Sequence, residues 1–192
     1  MKPSAAKLAT VLMAAVAGAC AQDAAIDAQH SSITIHVGKA GLLSAAGHDH
    51  TIDAPISSGT IRENPDPRVE FKIETAKMTV KPDPKVDAKT QATIQKDMEE
   101  ITLETGKFPE ITFRSTRVEK LAEGQWKVEG DLSLHGVTKP LGLTVKRAGN
   151  SYTAHTVLKQ TDFGIKPITV GGGVIKVKNE VEIDFIIVPR PV

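Results

Sequence analysis

Residues 110–146 read EITFRSTRVEKLAEGQWKVEGDLSLHGVTKPLGLTVK, and this stretch decides the fold class. Apolar and polar residues alternate in its three segments, which is the pattern of a β-strand with one buried face. Turn signals separate the segments at Glu123-Gly124 and at Gly136. Successive strands joined by short turns predict an antiparallel sheet.

The same alternation continues on both sides of this stretch. SITIHV (32–37) and RVEFKIET (68–75) precede it, and SYTAHTVLKQ (151–160) and VEIDFIIV (181–188) follow it. Seven or eight strands are therefore expected, in one domain, since no interdomain linker or internal repeat interrupts the pattern.

One segment has a helical period instead. From Asp87 to Glu104, apolar residues recur at spacings of three and four, between prolines upstream and Gly106 and Pro109 downstream. We predict an amphipathic helix with Asp87 as its N-cap, because its carboxylate can accept hydrogen bonds from the free amides of the first turn. The expected packing face consists of Ala88, Ala92, Ile94, Gln95, Met98 and Ile101.

Composition excludes several classes of protein. The 192 residues carry 24 basic and 23 acidic side chains, for a formal net charge of +1, and the aromatic residues make up 4%. A near-neutral chain with so few aromatics is not expected to bind nucleic acid. The single cysteine, Cys20, excludes an intrachain disulfide and a cysteine-based zinc cluster.

The first residues have the features of an export signal. Lys2 and Lys7 precede an uncharged apolar stretch that ends near Cys20, too short to cross a bilayer permanently. We expect residues 1–21 to be a signal peptide and 22–192 to be the mature domain, located in the periplasm. Cleavage before Gln22, cleavage before Cys20, and lipidation of Cys20 with attachment to a membrane remain open.

Alternation alone does not distinguish a closed barrel from a two-sheet sandwich. An eight-stranded barrel has an interior that is either packed by side chains or holds one small ligand. Because few aromatic residues are available to fill a wide centre, the sequence favours a cavity.

Four motifs resemble the YceI family. They are FPEITFRSTRVE, WKVEGDLSLHGVTKPLGLTV, KQTDFGIKP and NEVEIDFIIV, in the order and spacing usual for the family, and the resemblance spans Ala25 to Val188. It implies an all-β fold with one helix, an antiparallel eight-stranded lipocalin-like barrel. It also implies an apolar tunnel for a polyisoprenoid, an isoprenoid quinone or another long-chain lipid, in an exported bacterial protein.

The apolar strand faces are the expected walls of this tunnel. The alternative is an ordinary packed core in a structural or partner-binding sandwich. The predicted ligand-binding residues are Ile33, Ile35, Val37, Val69, Phe71, Ile73, Trp126, Val128, Leu132, Leu134, Leu143, Val145, Ile183 and Phe185, and Val181 belongs to the same faces.

A histidine pair lies near the expected tunnel mouth. Lys39 stands where the family often has histidine, and His48 and His50 flank Asp49. We interpret Lys39, His48 and His50 as candidate contacts to a lipid head group. The alternative function is a periplasmic metal-binding or stress-response module, in which His48 and His50 are weak candidate ligands that need a third ligand such as His36, His155 or a loop carboxylate.

Catalysis is not expected. The sequence contains no G-x-S-x-G or H-E-x-x-H motif, and Gly171-Gly172-Gly173 is not followed by a helix that could present amides to a phosphate. No cofactor is expected either. The sequence leaves the oligomeric state open, a homodimer included.

Overall fold

The computed structural model describes residues 23–40, 49–170 and 175–191. Within these residues the chain forms twelve β-strands and one α-helix, α1 (Ala88–Asp97). The strands are β1 (Ala24–Ala25), β2 (Ser32–Ala40), β3 (His50–Asp53), β4 (Ile56–Arg62), β5 (Arg68–Glu74), β6 (Thr79–Val80), β7 (Glu110–Ala122), β8 (Gln125–Leu134), β9 (Val137–Ala148), β10 (Ser151–Lys159), β11 (Thr169–Val170) and β12 (Ile175–Ile187). Residues 1–21, the predicted signal peptide, lie outside the described residues.

All described strand pairs are antiparallel, and the hydrogen-bonded order is β1-β4-β5-β7-β8-β9-β10-β12-β2-β3-β6, with β11 beside β12. β3 and β4 are two halves of one bent strand, separated only by Ala54 and Pro55. β3 pairs with β2, whereas β4 pairs with β5. The sheet therefore closes on itself as a barrel.

The predicted fold class is confirmed, and the larger strand count has a local cause. Long strands of a closed barrel bend, and a bend divides one long strand into two shorter ones. Pro55 lies at the bend between β3 and β4. Because proline has no N–H, the hydrogen-bond ladder to the neighbouring strand is interrupted there. The 3₁₀ turn Thr75–Lys77 interrupts β5, and the chain continues as β6, in which Val80 pairs with Ile52 of β3. Joined at these bends, the long segments make an eight-stranded wall within the described residues.

The predicted alternation matches the two faces of the wall. In β12, Val181, Ile183, Phe185 and Ile187 are buried, and the intervening residues are exposed. The register places Phe71 opposite Phe113 on β7. Inward-facing apolar residues therefore form the core that the closed wall encloses.

The helix begins as predicted. The Asp87 carboxylate accepts hydrogen bonds from the backbone N–H groups of Lys89 and Thr90, each at 3.0 Å. α1 ends at Asp97 and is followed by a π-helical turn, Met98–Thr102, in which the Leu103 N–H donates to the Met98 carbonyl at 2.9 Å.

The predicted packing face of the helix is only partly correct. Ile94, Gln95 and Met98 face the barrel, but Ala88, Ala92 and Ile101 are exposed, Ile101 by 62%. The π turn adds a residue to the last turn and so rotates Ile101 outward and Leu103 inward. The contacts of α1 begin at Gln91, one turn after Ala88.

Two glutamines attach the helix to the barrel. The Gln91 side chain donates to the Val80 and Lys81 carbonyls, each at 3.4 Å. The Gln95 side chain accepts a hydrogen bond from the Val80 N–H at 2.7 Å and donates to the Met78 carbonyl at 3.0 Å. These backbone groups belong to the outer edge of β6, where no further strand pairs among the described residues. Gln95 therefore takes the place of a strand at this edge.

No helix in the described part of the chain is long and apolar enough to span a membrane.

Gly130 of β8 makes room for the most deeply buried aromatic ring. A Cβ atom at Gly130 would lie 2.5 Å from both the Phe113 Cζ and the Arg114 carbonyl oxygen, whereas a Cβ at Gly142 on the neighbouring strand would meet nothing within 4 Å. Phe113 itself is 2% exposed. The close approach of the ring to the sheet therefore requires glycine at position 130.

We predict that Gly130→Ala lowers the free energy of unfolding by about 1–3 kcal/mol, because the ring has to leave its position. Gly142→Ala is the matched control and is expected to change stability by less than about 1 kcal/mol. Urea unfolding of both variants measures this. Equal losses in the two variants would contradict the assignment.

Candidate functional site

Inward-facing side chains enclose an apolar cavity of about 250 Å³, here called the large compartment. Its walls come from most strands of the barrel, and Met98 and Leu103 after α1 close it on one side. Ten of the predicted residues line it: Ile33, Ile35, Val37, Phe71, Ile73, Leu132, Leu134, Leu143, Ile183 and Phe185.

A second cavity of about 80 Å³, here called the small compartment, lies further along the same interior. It contains the other four predicted residues, Val69, Trp126, Val128 and Val145. All fourteen predicted residues thus face an internal cavity, and their contact with a ligand stays a prediction.

The two compartments meet at a group of three rings. The Phe71 and Phe113 rings stack with centroids 5.5 Å apart, and the Phe71 and Phe185 centroids are 6.2 Å apart. These three residues, here called the phenylalanine cluster, line both compartments together with Leu143. Two of these rings, Phe71 and Phe185, belong to predicted wall residues, and the fold adds Phe113 from a third strand beside them.

Sequence reasoning missed several residues of the large compartment. Ile111 and Phe113 alternate within EITFRS, so the strand period could have identified them. Phe163 and Ile165 are also buried and line the cavity, but they belong to a 3₁₀ turn and the loop after it, for which no period exists. The buried Gln160 side chain donates to the Lys178 carbonyl at 2.8 Å and holds this turn against β12.

Polar residues mark one end of the large compartment. Among its described lining, only His50, Asp97, Thr102, Lys159 and Gln160 are polar. All except Gln160 are at least partly exposed, so this end is the mouth. Of the predicted head-group residues, His50 lines the mouth, and Lys39 belongs to β2 without being part of the described cavity wall. His48 lies outside the described residues.

The histidines proposed as a third metal ligand lie on the opposite face of the wall. His36 Nε2 is 3.1 Å and His155 Nδ1 is 2.8 Å from the two carboxylate oxygens of Asp184, on the exposed outer surface. The hydrogen bond from His155, followed by the one from His36, lowers the pKa of the Asp184 carboxyl. Because His50 faces the cavity, neither histidine can complete a site with it.

The described part of the chain contains no group of three or more side chains arranged to hold a metal ion. His48 falls outside that part, so the metal-binding hypothesis for His48, Asp49 and His50 stays a prediction.

Charged residues surround the far end of the small compartment. The buried Tyr152 hydroxyl donates to the Glu63 carboxylate, whose other oxygen is 3.3 Å from Arg147. Asp23 accepts from Arg62 at 2.7 Å and from Arg68 at 2.6 Å. The hydrogen bond from Arg68 is the largest influence that lowers the pKa of Asp23.

Comparison with known proteins gives a consistent result. A family model described as YceI-like domain matches residues 25–188. A UPF0312 protein of Shewanella oneidensis is 36% identical over 95 residues, which cover 44% of this chain and 47% of that protein. The chain thus spans about half or less of the length of the first Shewanella relatives that it matches.

Two solved structures share the fold. Burkholderia cenocepacia BcnA superposes with a TM-score of 0.62 at 15% identity, covering 85% of this chain and 98% of that one. A polyisoprenoid binding domain from Saccharophagus degradans superposes with a TM-score of 0.60 at 17% identity, covering 89% of this chain and 100% of that one. At these identities the likeness shows the fold alone.

Tyr152 provides a test of the small compartment. Burial, and then the hydrogen bond to Glu63, raise the pKa of the phenol above its usual value near 10. The folded protein therefore holds the phenol proton more tightly than the unfolded chain does. This contribution to stability is complete below about pH 10 and is lost as the pH rises further.

Since Tyr152 is the only tyrosine, phenolate absorbance reports on it alone. We expect no phenolate signal at pH 10 in the folded protein, and a lower Tyr152 pKa in Glu63→Gln that still exceeds 10 because the ring stays buried. Ionisation near pH 10 in the folded wild-type protein would contradict the burial of this hydroxyl.

Proposed function

Because the chain belongs to the YceI-like domain family, we propose that it is an exported, non-enzymatic lipid-binding protein. It holds the apolar tail of a polyisoprenoid, an isoprenoid quinone or a similar amphiphile inside the barrel. The observation that carries this proposal is the large compartment, an enclosed apolar volume with polar residues at one end.

The energetics favour an apolar tail over other cargo. All but five of the described residues that line the large compartment are apolar. Each methylene removed from water contributes about 0.8 kcal/mol, so a tail binds tightly without polar contacts along its length. A polar ligand would lose its hydrogen bonds to water and find few replacements there.

The mouth fits the polar head group of an amphiphile. His50, Thr102 and Lys159 offer donors where the cavity reaches the surface, so a head group can keep hydrogen bonds to protein and water. The fold shared with the polyisoprenoid binding domain from Saccharophagus degradans supports the same class of ligand.

A catalytic role is not part of the proposal. Acid–base chemistry needs a nucleophile or base held beside a second reacting group in a cleft. The titratable groups that line the described large compartment are His50, Asp97 and Lys159, all at its mouth. The apolar interior beyond them offers a tail no reactive group.

Export to the periplasm is part of the proposal and rests on residues 1–21. In that compartment a barrel that shields an apolar tail from water could carry it near or between membranes. Mass spectrometry of the protein purified from its native cell envelope tests export, lipidation and cargo together. An uncleaved N-terminus and an empty barrel would contradict the proposal.

We predict that Leu134→Asp weakens the binding of a quinone with a two-isoprene tail by at least about tenfold, because a carboxylate enters the apolar wall. Leu134 is only partly buried, which favours a folded variant. Ser133→Asp is the matched control, since Ser133 points outward to Thr138 and its exposed hydroxyl lies 2.7 Å from that of Thr138.

Native mass spectrometry of delipidated protein, together with calorimetric titration, measures both variants. Wild-type protein and Ser133→Asp are expected to bind the quinone equally. Equal affinity in Leu134→Asp, or no uptake of any amphiphile by wild-type protein, would contradict the proposal.

A further inference from the structure

Resting on the proposed function, we propose that the phenylalanine cluster limits the length of the bound tail. Among the amphiphiles considered above, the barrel then selects those with an apolar tail of about ten carbons, such as a medium-chain acyl or a two-isoprene prenyl group. Longer tails are disfavoured because they have to displace the rings.

The cluster spans the barrel from wall to wall. Phe71 and Phe113 come from the neighbouring strands β5 and β7, and Phe185 comes from β12, which lies on the opposite side in the strand order. Their rings nevertheless lie within contact distance in the middle of the interior. A partition that reaches both walls divides the space into compartments.

Two glycines make room for the phenylalanine cluster. Gly59 pairs with Phe71 across β4 and β5, and a Cβ at Gly59 would lie 2.9 Å from the Phe71 Cβ. Gly130 makes room for the Phe113 ring itself, since a Cβ there would lie 2.5 Å from the ring. All three phenylalanines are at most 8% exposed. The three side chains are therefore tightly packed in the interior.

The volumes give the length limit. A 150 Å³ apolar cavity accommodates benzene, so by the same scale the 250 Å³ of the large compartment accommodates about ten carbons. On the same scale, the 80 Å³ of the small compartment accommodates about three carbons more. A polyisoprenoid of many units exceeds the large compartment several times over.

The orientation follows from where the polar residues lie. The mouth residues His50, Thr102 and Lys159 line only the large compartment, and the phenylalanine cluster forms its other boundary. A head group at the mouth therefore places the end of the tail against Phe71. Trp126, the only tryptophan, lines the small compartment on the far side of the cluster.

The first experiment measures affinity against tail length. Calorimetric titration with straight-chain carboxylates of roughly six to sixteen carbons is expected to show about a fourfold gain per methylene up to about ten carbons, and then no further gain. In Phe71→Ala the two compartments join, and the gain is expected to continue for about five or more further carbons.

Ile73→Ala is the matched control. Ile73 lies two residues from Phe71 on the same face and lines only the large compartment. Its truncation removes three carbons without opening the partition, so the limit is expected to move by no more than about three carbons. Phe71→Leu, a milder change, moves the limit in the same direction by a smaller amount and serves if Phe71→Ala does not fold.

The second readout is the fluorescence of Trp126. Decanoate that carries a bromine at its tail end is expected to bind wild-type protein without quenching, because the cluster separates the bromine from the indole. The same probe is expected to quench Trp126 in Phe71→Ala. Quenching in wild-type protein would overturn the proposal.

An unbroken gain in affinity to sixteen carbons in wild-type protein, or the same length limit in Phe71→Ala and wild type, would also overturn it. If the proposed lipid-binding function itself is wrong, the titrations give a different result from the one that overturns the length limit. In that case no carboxylate of any length binds to wild-type protein, and no brominated probe quenches any variant.

Discussion

The structure depends on the bend between β3 and β4. The segment before Ala54 pairs with β2, and the segment after Pro55 pairs with β5, so one strand joins the two ends of the sheet. The Ala54 N–H still donates to the Ile33 carbonyl at 2.9 Å, which keeps the ladder continuous to the bend. A closed wall leaves no open edge there, and every second side chain of each strand points inward.

Closure explains why the interior is both apolar and incompletely filled. Branched aliphatic side chains from eight wall segments cover the wall, but they are too short to fill the middle. The rings of the phenylalanine cluster reach it where the two compartments meet. Cavity volume therefore remains on either side of the cluster, and the polar end of the larger volume determines how an amphiphile would enter.

Much of this could be predicted from the sequence. The alternation of Val181, Ile183 and Phe185 gave the correct inward face because a strand in a closed wall has a period of two. The Asp87 cap could be predicted because capping depends only on neighbouring residues. Strand alternation and helix capping depend on residues close together in the sequence, so the sequence pattern alone predicts them.

The remainder depends on contacts between distant segments. Phe71 and Phe185 are more than a hundred residues apart and meet only after the barrel closes, so no spacing in the sequence indicates their contact. The π turn after Asp97 shifted the helical period and made the assignment of Ile101 wrong. Phe163 reaches the cavity from a 3₁₀ turn, where burial follows from tertiary packing alone.

The barrel thus encloses apolar space that the phenylalanine cluster divides. A crystal structure of the delipidated protein under xenon pressure would reveal this space, because xenon enters apolar cavities that water leaves empty. We expect xenon between Ile73 and Leu132, separated by the Phe71 ring from the space around Trp126. An interior filled by side chains, with no xenon on the mouth side of Phe71, would contradict it.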